Sequence, residues 1–305
     1  MPGPTAAARA AAIANEPFVV VGEQPGFLRG ARSSLRDIWH RRELLSLLVR
    51  REIRARYKDS SLGLLWSLVR PLTQLLIYYF AIGQILGVAR NVPSFAIFVF
   101  VGLTTWTLFT ETVSSSTTSM VNNSGLVKKV YLPREIFPLA SVGGALFTFA
   151  IQFVILLVAT AVIGQFPLDP SVALVPLAFL ALLVFSTAIG LFLSAINVYL
   201  RDTQHLVEVV LAVLFWASPI VYSFSFVHEA LQGNWLEQLY LANPVTLSIL
   251  GMQQGLWAAG SAQDAYNWPP DLALRLGISL VISAVLLFLA QRVFDRLQGN
   301  FAQEL

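Results

Sequence analysis

Three groups of residues in this sequence carry chemistry, and each lies in a different setting. Glu111 lies inside a 16-residue stretch, Thr104 to Ser119, in which 11 residues are Ser or Thr. A carboxylate among hydroxyls in an apolar segment serves as a proton relay, a structural hydrogen-bond partner, or part of a wet path for a hydroxylated cargo. A basic run, Arg50, Arg51, Arg54, Arg56 and Lys58, precedes the first long apolar segment. Such cations meet anionic lipid headgroups, worth about 1 kcal/mol per residue near a surface, or the phosphates of another ligand. The electrostatics of the two are the same. The third setting is the short connection containing Lys128, Lys129, Tyr131, Arg134 and Glu135, where charge and an aromatic crowd together.

The chemistry that is missing is equally informative. An ATP-binding Walker A loop needs Gly-Lys followed by Ser or Thr, and the three lysines here, Lys58, Lys128 and Lys129, never follow a glycine. No two aspartates are separated by one position, His40, His205 and His228 form no HExxH, and no Gly-x-Ser-x-Gly elbow occurs. With no cysteine, thiolate zinc sites, iron–sulfur clusters, disulfides and cysteine nucleophiles are excluded. The expectation is no catalytic residue, no metal and no cofactor held by this chain. Glu111 alone gives thin support to a proton-driven carrier.

The elements that must position these groups are set by hydropathy. Of 305 residues, 56% are apolar and 12% charged, about half the charged share of a typical soluble domain. Mean hydropathy is +0.68. Six segments are long enough and apolar enough all round to cross a bilayer: about 64–89, 94–118, 138–164, 172–198, 206–224 and 273–292. The second is the weakest by hydropathy because of its hydroxyls, which membrane helices tolerate when they face other helices or a polar path. Residues 1–33 are Ala-, Pro- and Gly-rich and hold no apolar core of signal-peptide length, so they read as a mobile tail. Residues 34–60 read as an amphipathic helix in the membrane interface. A box, Ser34 to Asp37, opens it, and Leu35, Ile38, Trp39, Leu45, Leu48, Val49 and Ile53 follow helical spacing with arginines largely elsewhere. In the first segment, Gly83 and Gly87 form a GxxxG element that permits close helix contact, within the subunit or across a dimer.

Eighteen of the 20 basic residues fall on one side of the six segments; only Arg90 and Arg275 fall on the other. The positive-inside rule then puts both termini in the cytoplasm. It also makes residues 225–272 an outer connection, one too apolar for a free loop. Short helices dipping back into the outer leaflet fit it, with Trp235, Trp257, Tyr266 and Trp268 at headgroup level.

Five blocks carry a resemblance: residues 50–72 (RREIRARYKDSSLGLLWSLVRPL), 123–140 (NSGLVKKVYLPREIFPLA), 197–211 (NVYLRDTQHLVEVVL), 216–223 (WASPIVYS) and 240–246 (YLANPVT). Together they resemble the permease subunit of ABC-2 type polysaccharide exporters, which move lipid-linked O-antigens, teichoic acids and galactans. The likeness runs over roughly residues 40–298. It implies an all-α membrane protein with an interface helix, six transmembrane helices and short re-entrant helices before the last one, all within a domain spanning 61–298. It also implies a homodimer in the bacterial plasma (inner) membrane, paired with a separate nucleotide-binding subunit that holds ATP and magnesium. In that family the loop at 122–137 is a coupling helix docked on the ATPase. This assigns Lys128, Lys129, Tyr131, Arg134 and Glu135 to docking, with Arg201 and Asp202 of the next cytoplasmic turn beside them.

A glycan in transit needs a continuous, weakly binding path of aromatic faces and hydroxyls. Tyr78, Tyr79, Trp106, Thr107, Thr110, Glu111, Ser114, Trp216 and Tyr222 are the candidates for its lining, with the Arg50–Lys58 run at its entrance. Partners other than the ATPase, a second copy and the glycan are membrane lipids; nucleic acid is not expected. Arg outnumbers Lys 17 to 3, a bias compatible with a GC-rich genome and with a galactan precursor as cargo. A drug or small lipid as cargo, and a membrane glycosyltransferase, are the alternatives.

Overall fold

The computed structural model describes residues 41–57, 65–90, 92–129, 132–231, 234–261 and 268–305. The N-terminal tail, the opening of the interface helix with its Ser34–Asp37 box, Lys58, Tyr131 and Tyr266 lie outside the described residues. Among the described residues the chain is helical and contains no strand.

Helix α1 (Arg42–Tyr57) precedes α2 (Trp66–Tyr78), which runs on without a break as a π-helical stretch over Tyr79–Ile85. Then come α3 (Phe95–Asn122), the short α4 (Ser124–Lys129), α5 (Ile136–Val162), α6 (Leu174–Tyr199) and α7 (Thr203–Trp216). Four helices fill the connection to the last long one: α8 (Phe224–Leu231), α9 (Trp235–Leu241), α10 (Pro244–Leu256) and α11 (Ala258–Ser261). Helix α12 (Leu272–Leu297) and a terminal turn, α13 (Phe301–Glu304), complete the chain.

Among the described residues, four helices are long and apolar enough to cross a membrane: α3, α5, α6 with the turn that leads into it, and α12. The other two expected segments differ in form. Trp66–Ile85 carries Pro71 inside α2 and changes to π geometry at Tyr79, both interruptions of the regular ladder. Helix α7 has 14 residues, about 21 Å at 1.5 Å per residue, against about 30 Å of hydrocarbon. It stops at Trp216 because the chain turns through Ser218 and Pro219, where proline supplies no N–H.

Helix α3 is the centre. In its most apolar stretch 78% of residues are buried, against 22–33% for the other three long helices, which turn broad faces outward. Its hydroxyls explain how so polar a helix sits there. Thr105 donates to Val101 O (2.8 Å), Thr117 to Val113 O (2.8 Å) and Ser119 to Ser116 O (2.7 Å), so each is satisfied inside the helix. Being small, they also let neighbours approach. A Cβ at Gly190 of α6 would lie 2.7 Å from Ser116 Cβ, Ser116 Oγ donates to Pro138 O of α5 (3.3 Å), and Asn197 Nδ2 donates to Thr117 O (3.0 Å).

Helix α10 is wedged among α3, α6 and α12, with Gly251 against Ala178 and Leu276 and Gly255 against Val175. The expectation for Trp257 is corrected. It is fully buried, 5.1 Å from Phe98 and 6.3 Å from Trp268, and its Nε1 donates to Pro93 O (2.8 Å). An indole whose N–H reaches a backbone acceptor packs inside instead of lying at the headgroups. Trp235, 68% exposed, is the opposite case. The two glycines of the GxxxG element also part company. Gly83 touches Phe95 of the same chain, while Gly87 has φ +77° and closes the turn after the π stretch, a conformation glycine adopts at no steric cost.

Candidate functional site

The residues with chemistry gather along α1 and the faces of α3 and α5 that it covers. Helix α1 docks on α5 where Val49 fills the space over Gly143. One turn on, Glu52 Oε1 accepts from Ser141 Oγ (3.3 Å). At the end of the helix, Arg56 Nη1 donates to Glu111 Oε2 (2.8 Å) and to Thr148 Oγ1 (3.0 Å). Arg51 bonds the side-chain oxygen of Asn123, which opens α4. Asn123 in turn donates its Nδ2 to Ser119 O (2.8 Å), so its side chain joins α1 to α3 while its backbone carbonyl starts α4 by accepting from Leu126 and Val127.

Two readings from sequence thus become one object. Glu111 and the basic run, 55 residues apart for Arg56, form an ion pair with side chains 28% and 30% exposed. A cavity of about 360 Å³ opens beside it, lined by Arg51, Glu52, Ala55, Arg56, Asn122 and Asn123. Arg50 and Arg54 line a second hollow of about 530 Å³, which shares Arg51 and Ala55 with the first. Sequence periodicity could place Arg56 on the polar face of a helix but carried no signal for the carboxylate it meets.

The expected path residues divide. Thr107, Thr110, Glu111 and Ser114 recur at three- and four-residue steps, are all partly exposed, and therefore form one polar stripe on α3. Thr107 donates to Leu103 O (2.8 Å) and Thr110 to Trp106 O (3.1 Å). Trp106 does not belong to the stripe: it is 8% exposed and packs against Phe109 (5.5 Å) and Phe215 (5.6 Å). Tyr78 stacks on the same Phe215 at 5.7 Å, so an aromatic seam joins α2, α7 and α3. Tyr79 meets Phe80 edge-on (5.5 Å). Trp216 is 60% exposed, and the Tyr222 hydroxyl donates to Trp216 O (2.9 Å).

At the end of the molecule where α3, α6 and α12 finish, Lys128, Lys129, Arg201 and Asp202 are exposed. Arg134 is half-buried, its guanidinium 5.8 Å above the Phe301 ring. Glu135 departs from the expected docking face: it is 4% exposed. Gln291 Nε2 of α12 donates to Glu135 Oε1 (3.1 Å) and to Asp295 Oδ1 (3.3 Å). Burial, with Asp295 alongside, pushes the Glu135 carboxyl up to about 7. Its position just before the apolar α5 gave no hint of this, because the partner lies 156 residues away.

No cluster of His, Asp or Glu suited to a metal occurs among the described residues. Broad apolar faces on long helices, a polar stripe on the central one and a charged seam at its mouth define a membrane domain of transport type. The chain belongs to the ABC-2 type transporter family, whose model matches residues 43–257. It is 31% identical over 271 residues to the O-antigen export system permease protein RfbA of Myxococcus xanthus, covering 89% of this chain and 98% of that one. A Klebsiella pneumoniae protein of the same name is 26% identical over 261 residues, 86% of this chain and 94% of that one. The polysialic acid transport protein KpsM of Escherichia coli is more distant, 24% identical over 235 residues, 75% and 89% of the two chains.

Proposed function

We propose that this chain is the membrane-spanning subunit of an ATP-driven exporter that carries a lipid-linked polysaccharide, of galactan type, out of the cytoplasm across the bacterial inner membrane. The observation that carries this reading is the similarity to an O-antigen export permease along 98% of that protein's length. ATP is hydrolysed on a separate nucleotide-binding subunit, because ABC-2 permeases of export systems work with one and this sequence lacks a Gly-Lys pair. Two copies of the chain form the conduit. Trp66–Ile85 and the segment from Thr203 to Tyr222 complete six crossings, α10 is the re-entrant element, and the termini are cytoplasmic. Lys128, Lys129, Arg134, Arg201 and Asp202 supply the docking face, with Tyr131. Arg51 and Arg56 guard the entrance to a path along the α3 stripe.

Depletion of the protein tests the cargo. Polyprenyl-linked glycan accumulates on the cytoplasmic side if the reading is right. Unchanged glycan pools together with sensitisation to small amphiphiles would point to a drug or small-lipid exporter. Glycosyl transfer by the purified chain without ATP would point to an enzyme, and ATP hydrolysis by the purified chain alone would overturn the division of labour.

A further inference from the structure

The cytoplasmic end of α12 touches both connections that face the ATPase in the reading above. Phe301 of the terminal turn is fully buried. It lies 5.4 Å from Phe294, 6.0 Å edge-on to Tyr199 at the end of α6, and beneath the Arg134 guanidinium. The turn packs on α4 and on α6. Tyr199 donates its hydroxyl to Leu297 O (2.7 Å), which ties the α6–α7 connection to α12. Gln291 ties the α4–α5 connection to α12 through Glu135, and Gln298 Nε2 donates to Asp295 Oδ1 (3.2 Å) in the same chain of bonds. Arg292 approaches the other oxygen of Asp295 at 3.6 Å. The matched family model ends at residue 257, so the part of this assembly contributed by residues 291–305 lies outside it.

We propose that residues 291–305 form a clasp that holds the two cytoplasmic connections at a fixed separation for ATPase docking, with Phe301 and Glu135 as its positioning residues. The proposal rests on the docking reading, but the clasp can be tested without it. A buried aromatic between two helices, plus one hydrogen-bonded arm to each connection, leaves neither connection free to move independently. The exposed Lys128 and Arg201 on the two connections then report its state. Neither Phe301 nor Glu135 needs to touch the partner.

The chain contains no cysteine, so labels can be placed without background. In the full-length permease, with Lys128→Cys and Arg201→Cys spin-labelled, the distance distribution should be narrow. Phe301→Ala should broaden it, Phe301→Leu should restore most of it, and Glu135→Gln, which keeps an oxygen for Gln291, should broaden it less than Glu135→Ala. Co-purification with the nucleotide-binding subunit should fall in the same order. A distribution as narrow in Phe301→Ala as in the parent overturns the clasp. The docking reading is tested apart from it by Lys128→Ala with Lys129→Ala: normal assembly there refutes docking at this face while leaving the distance measurement to judge the clasp.

Discussion

Replacing Gly143 with alanine tests the placement of α1, on which the position of every arginine in the seam depends. The added Cβ would lie 2.6 Å from Val49 Cγ2, 3.1 Å from Cγ1 and 3.4 Å from Cβ. Ordinary carbon contacts begin near 3.5 Å, so a separation on the order of 1 Å must open. Rotating Val49 gives no relief, because both γ carbons already crowd the site and a β-branched side chain in a helix has one strongly preferred rotamer. Helix α1 must therefore lift off α5. Overpacking of this kind costs about 1–3 kcal/mol, against an intrinsic gain of roughly 0.5–1 kcal/mol for alanine over glycine inside a helix. The net effect is a loss, and the lift carries Arg56 out of hydrogen-bond reach of Glu111, now 2.8 Å away. Val49→Ala removes the obstructing carbons, so in that background Gly143→Ala should stabilise. Thermal unfolding of the full chain in nanodiscs reads the sign, and an export assay reads the seam. Destabilisation of equal size in both backgrounds would refute the docking of α1 through this contact, as would a neutral Gly143→Ala in the parent.

Three further outcomes are expected. Glu111→Gln breaks an ion pair whose side chains are about a third exposed, so the unfolding temperature should hardly move, a change within roughly 1 kcal/mol; export should nonetheless slow if the pair guards the entrance, and an unaltered export rate would remove that role. Glu135 has a folded-state pKa raised to about 7 by burial first and by Asp295 next. Its protonated form is favoured by folding, so stability is greatest below the unfolded carboxyl value and falls as pH rises toward 7, then levels. Scanning unfolding temperature from acid to mildly alkaline pH should show that decline in the parent and lose it in Glu135→Gln; parallel curves would contradict the assignment. Trp257→Phe removes the 2.8 Å donor to the half-buried Pro93 carbonyl, at a cost of about 1 kcal/mol, which calorimetry or denaturant titration would detect.

The long helices were legible because lipid demands uniform apolarity over some 20 residues, and that leaves a signal in any window. Helices α3, α5, α6 and α12 begin and end within a few residues of the segments expected from hydropathy, except that α12 runs on to Leu297. Shorter elements carry weaker signals. Hydropathy sees residues 206–224 as one apolar run and is blind to the turn at Pro219. The GxxxG spacing suggested one contact face, but Gly87 serves backbone conformation instead. In the candidate site, residue types were readable and partners were not. Arg56 and Glu111 were both singled out, yet no local pattern links positions 55 apart. Glu135 looked like surface charge because it follows Arg134 in a short basic connection, and Trp106 looked like path because hydroxyls surround it. The contacts of Phe301 were not legible because a lone aromatic beyond the last apolar segment makes no periodic pattern.

The hydroxyls of the α3 stripe have a directional property. Thr107, Thr110 and Thr118 each give their hydrogen to a carbonyl of their own helix. Their oxygens keep lone pairs and have no proton left to offer. At these three threonines α3 accepts without donating, so a polyhydroxyl chain lying against them attaches there through its own O–H groups. Equivalent acceptors recur about every helical turn, near 5.4 Å. A ligand stepping from one to the next exchanges like for like and meets no deep minimum in which to stop. The same device that lets a Ser/Thr-rich helix sit at the centre of the fold gives its open side a surface suited to sliding.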